Sequence, residues 1–250
     1  MQQFKASIKN EIEKILKRKK PAATLFISLF LILLGQFSII IVRKNFGLAT
    51  VSSTQFPIFS LYIFSNILMP LFILLITIGS FCDEFSHNTF KITLTRPVTR
   101  FKLYSAKIIS IITYIALSLA FVLIVSTICG VAFNSNYSFS DNIVKILLSY
   151  IVTIIPLAVI CLASVLLSNI FKNGVVVFFV FVLTFIGLKI LGMLFPGFSG
   201  ILLTSQLGWY NLWIMDFIPY FEIIKQFLLM MSYAIIFFTA GYYLFDKKEI

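Results

Sequence analysis

Charge is scarce in this sequence, and negative charge most of all. Only 12% of its 250 residues are charged, about half the share of a soluble domain, and nine carboxylates face twenty lysines and arginines. A catalytic carboxylate pair has few sources. Asp83 and Glu84 border one apolar run, whereas Asp141, Asp216 and Glu222 fall at the opposite ends of such runs, a bilayer's width away. His87 is the single histidine, so an H-E-x-x-H zinc site cannot be built, and it reads as a polar loop residue. The sequence contains no G-x-x-x-x-G-K-[ST], no G-x-G-x-x-G and no G-x-S-x-G. These absences exclude the usual phosphate cradles and the strained nucleophile turn. Cysteine is limited to Cys82, Cys129 and Cys161, each within or at the end of an apolar run. Neither a disulfide framework nor metal-ligand spacing results, and they read as small apolar fillers. No internal repeat or low-complexity linker divides the chain, so a single domain over 1–250 is expected.

Apolar surface is what the sequence has in abundance. Hydrophobic residues make up 60% of it and the mean hydropathy is +1.04, values that call for lipid as the solvent. The net charge of +11 does not indicate nucleic acid, because the basic residues punctuate long apolar runs instead of forming one basic surface.

A helix rising 1.5 Å per residue needs about 20 apolar residues to cross the hydrocarbon core. Six segments meet that length: Ala22–Val42, Pro57–Phe81, Ile108–Phe133, Ile143–Ile170, Gly174–Phe195 and Gln226–Phe245. Pro70 and Pro156 lie inside two of them, where neighbouring helices can satisfy the freed backbone groups. The first run is too long for a signal-peptide core and no small-x-small site closely follows it, so it reads as a retained anchor.

Orientation follows from the basic residues. With the N-terminus inside, only Arg43, Lys44, Lys145 and Lys225 fall outside, and Lys189 lies within the fifth span. The positive-inside bias therefore predicts that both termini are cytoplasmic. Lys189 lies about two turns from the outer end of its span, where its stem could snorkel or its charge could serve a polar pathway. Asn66 could line such a path or bond a neighbouring helix.

Two further segments complete the expected architecture. Residues 1–20 place Phe4, Ile8, Ile12 and Ile15 at helical spacing among lysines, which predicts an amphipathic helix lying on the inner leaflet with its lysines on anionic headgroups. Residues 196–225 are too apolar for an ordinary loop, and a seventh span there would put the basic C-terminal end outside. A shallow or re-entrant helical pair at the outer face is expected, with Trp209 and Trp213 on one face as interfacial anchors. The fold class is thus an all-α polytopic membrane protein.

The densest polar stretch runs over 82–107, between spans two and three. Ser86 or Asn88 can cap a short helix there and Pro97 would end it. The segment carries E-F-x-x-x-T-x-K-x-x-L-x-R-P-x-x-R-x-x-x-x-x-x-K as Glu84, Phe85, Thr89, Lys91, Leu94, Arg96, Pro97, Arg100 and Lys107. In this pattern, in its position after span two and in the six spans with a basic N-terminal helix, the chain resembles the membrane subunits of type 2 ABC exporters. Asn88 stands where that family usually has glycine, a change that a left-handed turn accommodates.

The resemblance implies a permease that binds no cofactor itself. It would work with a cytoplasmic ATP-binding subunit carrying ATP and Mg, and with a second permease, identical or related, in a bacterial cytoplasmic membrane. It also implies that the short helix of 82–107 is a coupling helix seated in the ATPase. Glu84, Phe85, His87, Thr89, Lys91, Arg96, Pro97 and Arg100 would then form or orient that interface. An amphipathic or hydrophobic cargo, such as a peptide, a drug-like compound or a lipid, would suit the 29 phenylalanines, and the sequence singles out no pathway residues. Two other classes fit the composition: an ion-coupled carrier without an ATPase, resting on intramembrane charge at Lys189, and a non-transporting sensor or anchor subunit.

Overall fold

The computed structural model of the chain describes residues 2–46, 52–86, 99–134, 139–171, 173–215 and 217–247. The described residues form helices joined by turns and irregular segments, with no strand among them. Six helices are long and apolar enough to cross a membrane: Lys19–Asn45, Gln55–Glu84, Arg100–Phe133, Asn142–Ile170, Gly174–Leu194 and Tyr220–Asp246, here spans one to six. Each contains or closely matches a segment expected from hydropathy. Two begin earlier than expected. Span three starts at Arg100, where Thr99 caps it by accepting from the Lys102 amide, and span six starts at Tyr220. Apolar runs miss these first turns because they carry polar residues, met in span three by distant partners such as the Asp246 carbonyl for Arg100 and in span six by each other, Lys225 with Glu222. Helix enters the polar connection expected over 82–107 from both sides, through Ser86 and from Arg100.

Spans two and four are the most enclosed, and spans one, five and six the least. Without a hydrophobic drive between helices in lipid, close packing and polar contacts must hold such a bundle together. Both are present. The Thr24 and Tyr114 hydroxyls join spans one and three, and Thr77 meets Ser164 at 3.0 Å between spans two and four. Tyr150 donates to the Pro57 carbonyl at 2.9 Å while pairing with Ser126 at 3.1 Å, which ties spans two, three and four. Asn169 donates to the Gly241 carbonyl at 3.2 Å, bringing span six onto span four. Gly130 permits the closest backbone approach, since a Cβ there would lie 2.7 Å from the Ser53 carbonyl oxygen. All three cysteines are buried free thiols.

Span two is irregular at its middle. Phe64–Leu68 is a π-helical turn, and Pro70 follows it. A proline has no N–H, so the α-helical partner of the Asn66 carbonyl is missing. Lys189 of span five supplies one instead: its ammonium donates to the Asn66 carbonyl at 2.9 Å and to the Asn66 side-chain oxygen at 3.1 Å. The lysine thus turns toward span two, and Asn66 makes the interhelical bond that was one of its two expected roles.

The segment before span six forms three short turns, Pro196–Ser199, Ser205–Gly208 and Asn211–Ile214. Trp209 and Trp213 do sit against each other, with ring centroids 5.6 Å apart. Trp209, however, is buried at 3% exposure and stacks on Phe227, so it packs within the protein where an anchor at the headgroups was expected.

Candidate functional site

The N-terminal helix Gln2–Leu16 packs on the start of span three. Its apolar stripe alone does not explain this, because Phe4, Ile8 and Ile12 are only partly covered while Glu11 and Ile15 are buried. A carboxylate is taken out of water only with a partner, and the partner is Lys107. Its ammonium, 1% exposed, lies 2.6 Å from Glu84 Oε2, 3.2 Å from Glu11 Oε2 and 3.1 Å from the Ser80 carbonyl. All three of its N–H donors are engaged.

Glu84 is shared further. Its Oε1 pairs with Lys14 and with Arg18, the latter at 3.6 Å. Arg18 also donates to the Gly79 carbonyl, where a Cβ on Gly79 would lie 2.8 Å from the guanidinium. Lys20 pairs with Asp83 at 3.0 Å. A cluster of carboxylates and cations therefore joins the N-terminal helix, the end of span two and the first turns of span three. Losing one of its buried members, Lys107, Glu11 or Glu84, typically costs about 3–5 kcal/mol, because the remaining charge stays buried with less compensation.

The second anchor lies on span six. Arg100 donates to the Asp246 carbonyl. The next residue, Phe101, meets the Tyr242 ring edge-on at 5.3 Å, and one turn on Tyr104 contacts Phe81, Phe238, Tyr242 and Phe245. The Tyr104 hydroxyl is buried without a hydrogen-bond partner and sits over Gly241, where a Cβ would come within 2.4 Å of it. Both ends of the connection between spans two and three are thus fixed, one by ions and one by aromatic rings.

Of the residues singled out from the sequence, Glu84 and Arg100 are fully described and stand at these two anchors. Phe85 lies in the last turn of its helix with its side chain outside the described residues. His87, Thr89, Lys91, Arg96 and Pro97 also lie outside them. Glu11 was missed, although a carboxylate between Ile8 and Ile15 on an otherwise apolar stripe was a readable sign that the helix faces a cation. For Lys14 and Arg18 the sequence carries no signal beyond the basic bias of the N-terminal segment. Among the described residues no group of three or more His, Cys, Asp or Glu could hold a metal ion.

The cluster, the connection and five of the six spans fall wholly or mainly within residues 7–187, which match the family described as ABC-2 family transporter protein. No curated protein matches the chain. The matched part is well over half of the sequence, and it carries the features derived above. The chain therefore belongs to the ABC-2 transporter family, as a multi-pass permease of an ABC transporter that lacks nucleotide-binding motifs of its own.

Proposed function

We propose that this permease exports an amphipathic or hydrophobic molecule, with the connection between spans two and three as its contact to a separate cytoplasmic ATPase. The observation that carries the reading is the double anchorage of that connection, with Glu84 and Lys107 bonded at one point and Arg100 held to span six. A segment fixed at both ends passes a push to spans two, three and six together, whereas a loose one would absorb it. ATP-driven closure can shift the membrane part only through contacts that differ between nucleotide states. Buried Glu84 and Arg100, held to span six, suit the orienting role, and Thr89, Lys91 and Arg96 suit direct contact.

The permease would act with a second copy or a related chain, with ATP and Mg held by the partner. Basic residues favour cytoplasmic termini, and on the N-terminal helix the groove of Lys5, Ile8, Lys9, Ile12 and Glu13 offers two lysines against one carboxylate to anionic lipid headgroups on the inner leaflet. The whole chain is read as one transport domain, with 196–225 closing its outer face.

Co-purification with candidate ATP-binding subunits in mild detergent tests the coupling. Wild type should retain an ATPase whose activity depends on the permease, and an Arg96→Ala, Arg100→Ala double variant should lose it while keeping the wild-type elution profile. Retention of a fully coupled ATPase by that variant would refute the assignment of this segment.

A further inference from the structure

The buried lysine of span three and the single lysine of span five are treated differently. Lys107 is neutralised by two carboxylates. Lys189 bonds only the two uncharged oxygens of Asn66, beside the Phe185 ring at 5.5 Å, and no carboxylate pairs with it among the described residues. Capping the Asn66 carbonyl does not need a charge, since a glutamine amide could donate there. The ammonium also has three donors, and Asn66 takes two.

An uncompensated cation in a membrane span is costly and marks a site that meets charge from elsewhere. The surroundings fit such a source. Lys189 is only partly buried, and its neighbours Leu183, Ile186 and Ile190 are exposed apolar residues on the little-covered fifth span. It stands five residues from the helix end at Leu194, roughly 7.5 Å along the axis at 1.5 Å per residue, near enough to that end for a headgroup at an interface to meet a long lysine stem.

We infer that Lys189, positioned by Asn66, binds the anionic headgroup of a membrane amphiphile, phosphate or carboxylate, whose chain lies along the exposed face of span five. The ammonium supplies the charge and its third N–H to the headgroup, and the π-turn before Pro70 places the two Asn66 oxygens that hold the ammonium in place. The site needs no ATPase to be occupied and is independent of the export reading.

Site-resolved photolabelling tests it. The permease is placed in phosphatidylcholine nanodiscs containing phosphatidylglycerol with a photoactivatable chain, and labelled peptides are read by mass spectrometry. Labelling of the span-five peptide should fall about fivefold in Lys189→Gln, which keeps a donor for Asn66, and should persist in Lys189→Arg. Labelling at the N-terminal helix serves as an internal control and should not change. Excess dodecyl phosphate distinguishes the two sources: displacement of the label identifies a site for exchanging amphiphiles, and its persistence identifies a resident lipid. Equal span-five labelling in wild type and Lys189→Gln, or equal labelling by matched phosphatidylcholine, would overturn the inference.

Discussion

The Lys107 ammonium lies 2.6 Å from the Glu84 carboxylate, although the two residues are 23 positions apart and the most polar connection of the chain runs between them. Both groups are almost fully buried, and Glu11 brings the N-terminal helix to the same ammonium at 3.2 Å. Lys107→Met should therefore destabilise the permease by about 3–5 kcal/mol by leaving two carboxylates facing each other. Adding Glu11→Gln and Glu84→Gln should return part of that loss, because the buried carboxylate charges go with the ammonium and only the partly exposed Lys14 and Arg18 lose their partner. Thermal unfolding in mild detergent measures both, and strict additivity of the three substitutions would contradict a shared cluster.

Tyr104 and Gly241 predict an asymmetric pair of effects. Gly241→Ala puts a methyl within 2.4 Å of the Tyr104 hydroxyl and should cost about 1–3 kcal/mol through overpacking. Tyr104→Phe removes a buried hydroxyl that has no partner and should be neutral or stabilising. In the Tyr104→Phe background the alanine should become nearly silent, since the ring carbon Cζ would be an ordinary 3.6 Å away. Unfolding midpoints of the four proteins in the cycle decide this.

Lys189 and Pro70 are coupled through one carbonyl. Lys189→Met leaves the partly buried Asn66 oxygens without their donor, an expected loss of about 1 kcal/mol, the low end for an unsatisfied acceptor. Pro70→Ala restores a backbone N–H that can reach this carbonyl, so the same lysine substitution should cost less in that background. An unchanged cost in the double variant, measured by the same thermal assay, would mean that the proline is not what freed the carbonyl.

At Gly130 the obstruction is backbone. A methyl would stand 2.7 Å from the Ser53 carbonyl oxygen, which no side-chain rotation relieves, so Gly130→Ala should force span three away from the entry to span two and cost about 1–3 kcal/mol. Tyr150→Phe offers the contrast. It removes the bonds to Pro57 and Ser126 but creates no clash, and interhelical hydrogen bonds in membranes average about 0.6 kcal/mol with a maximum near 1.7. Its unfolding midpoint should stay closer to wild type than that of Gly130→Ala.

Length and hydropathy by themselves determined the six spans, since an apolar run of about 20 residues has few other stable settings than a bilayer-crossing helix. The pattern from Glu84 to Lys107 was likewise legible, and the family resemblance it carried agrees with the match over 7–187. Tertiary structure alone decided which charges meet. Sequence spacing could not show that Lys107 belongs to Glu11 and Glu84, because that pairing depends on how the N-terminal helix folds back onto span three. The same holds for Lys189, whose partner Asn66 is 123 residues away, and for Trp209, which packs on Phe227 of span six. Hydropathy reports the free energy of a segment in lipid. It carries no information on the neighbours that a buried charge or ring must find, and those are set only when the helices pack.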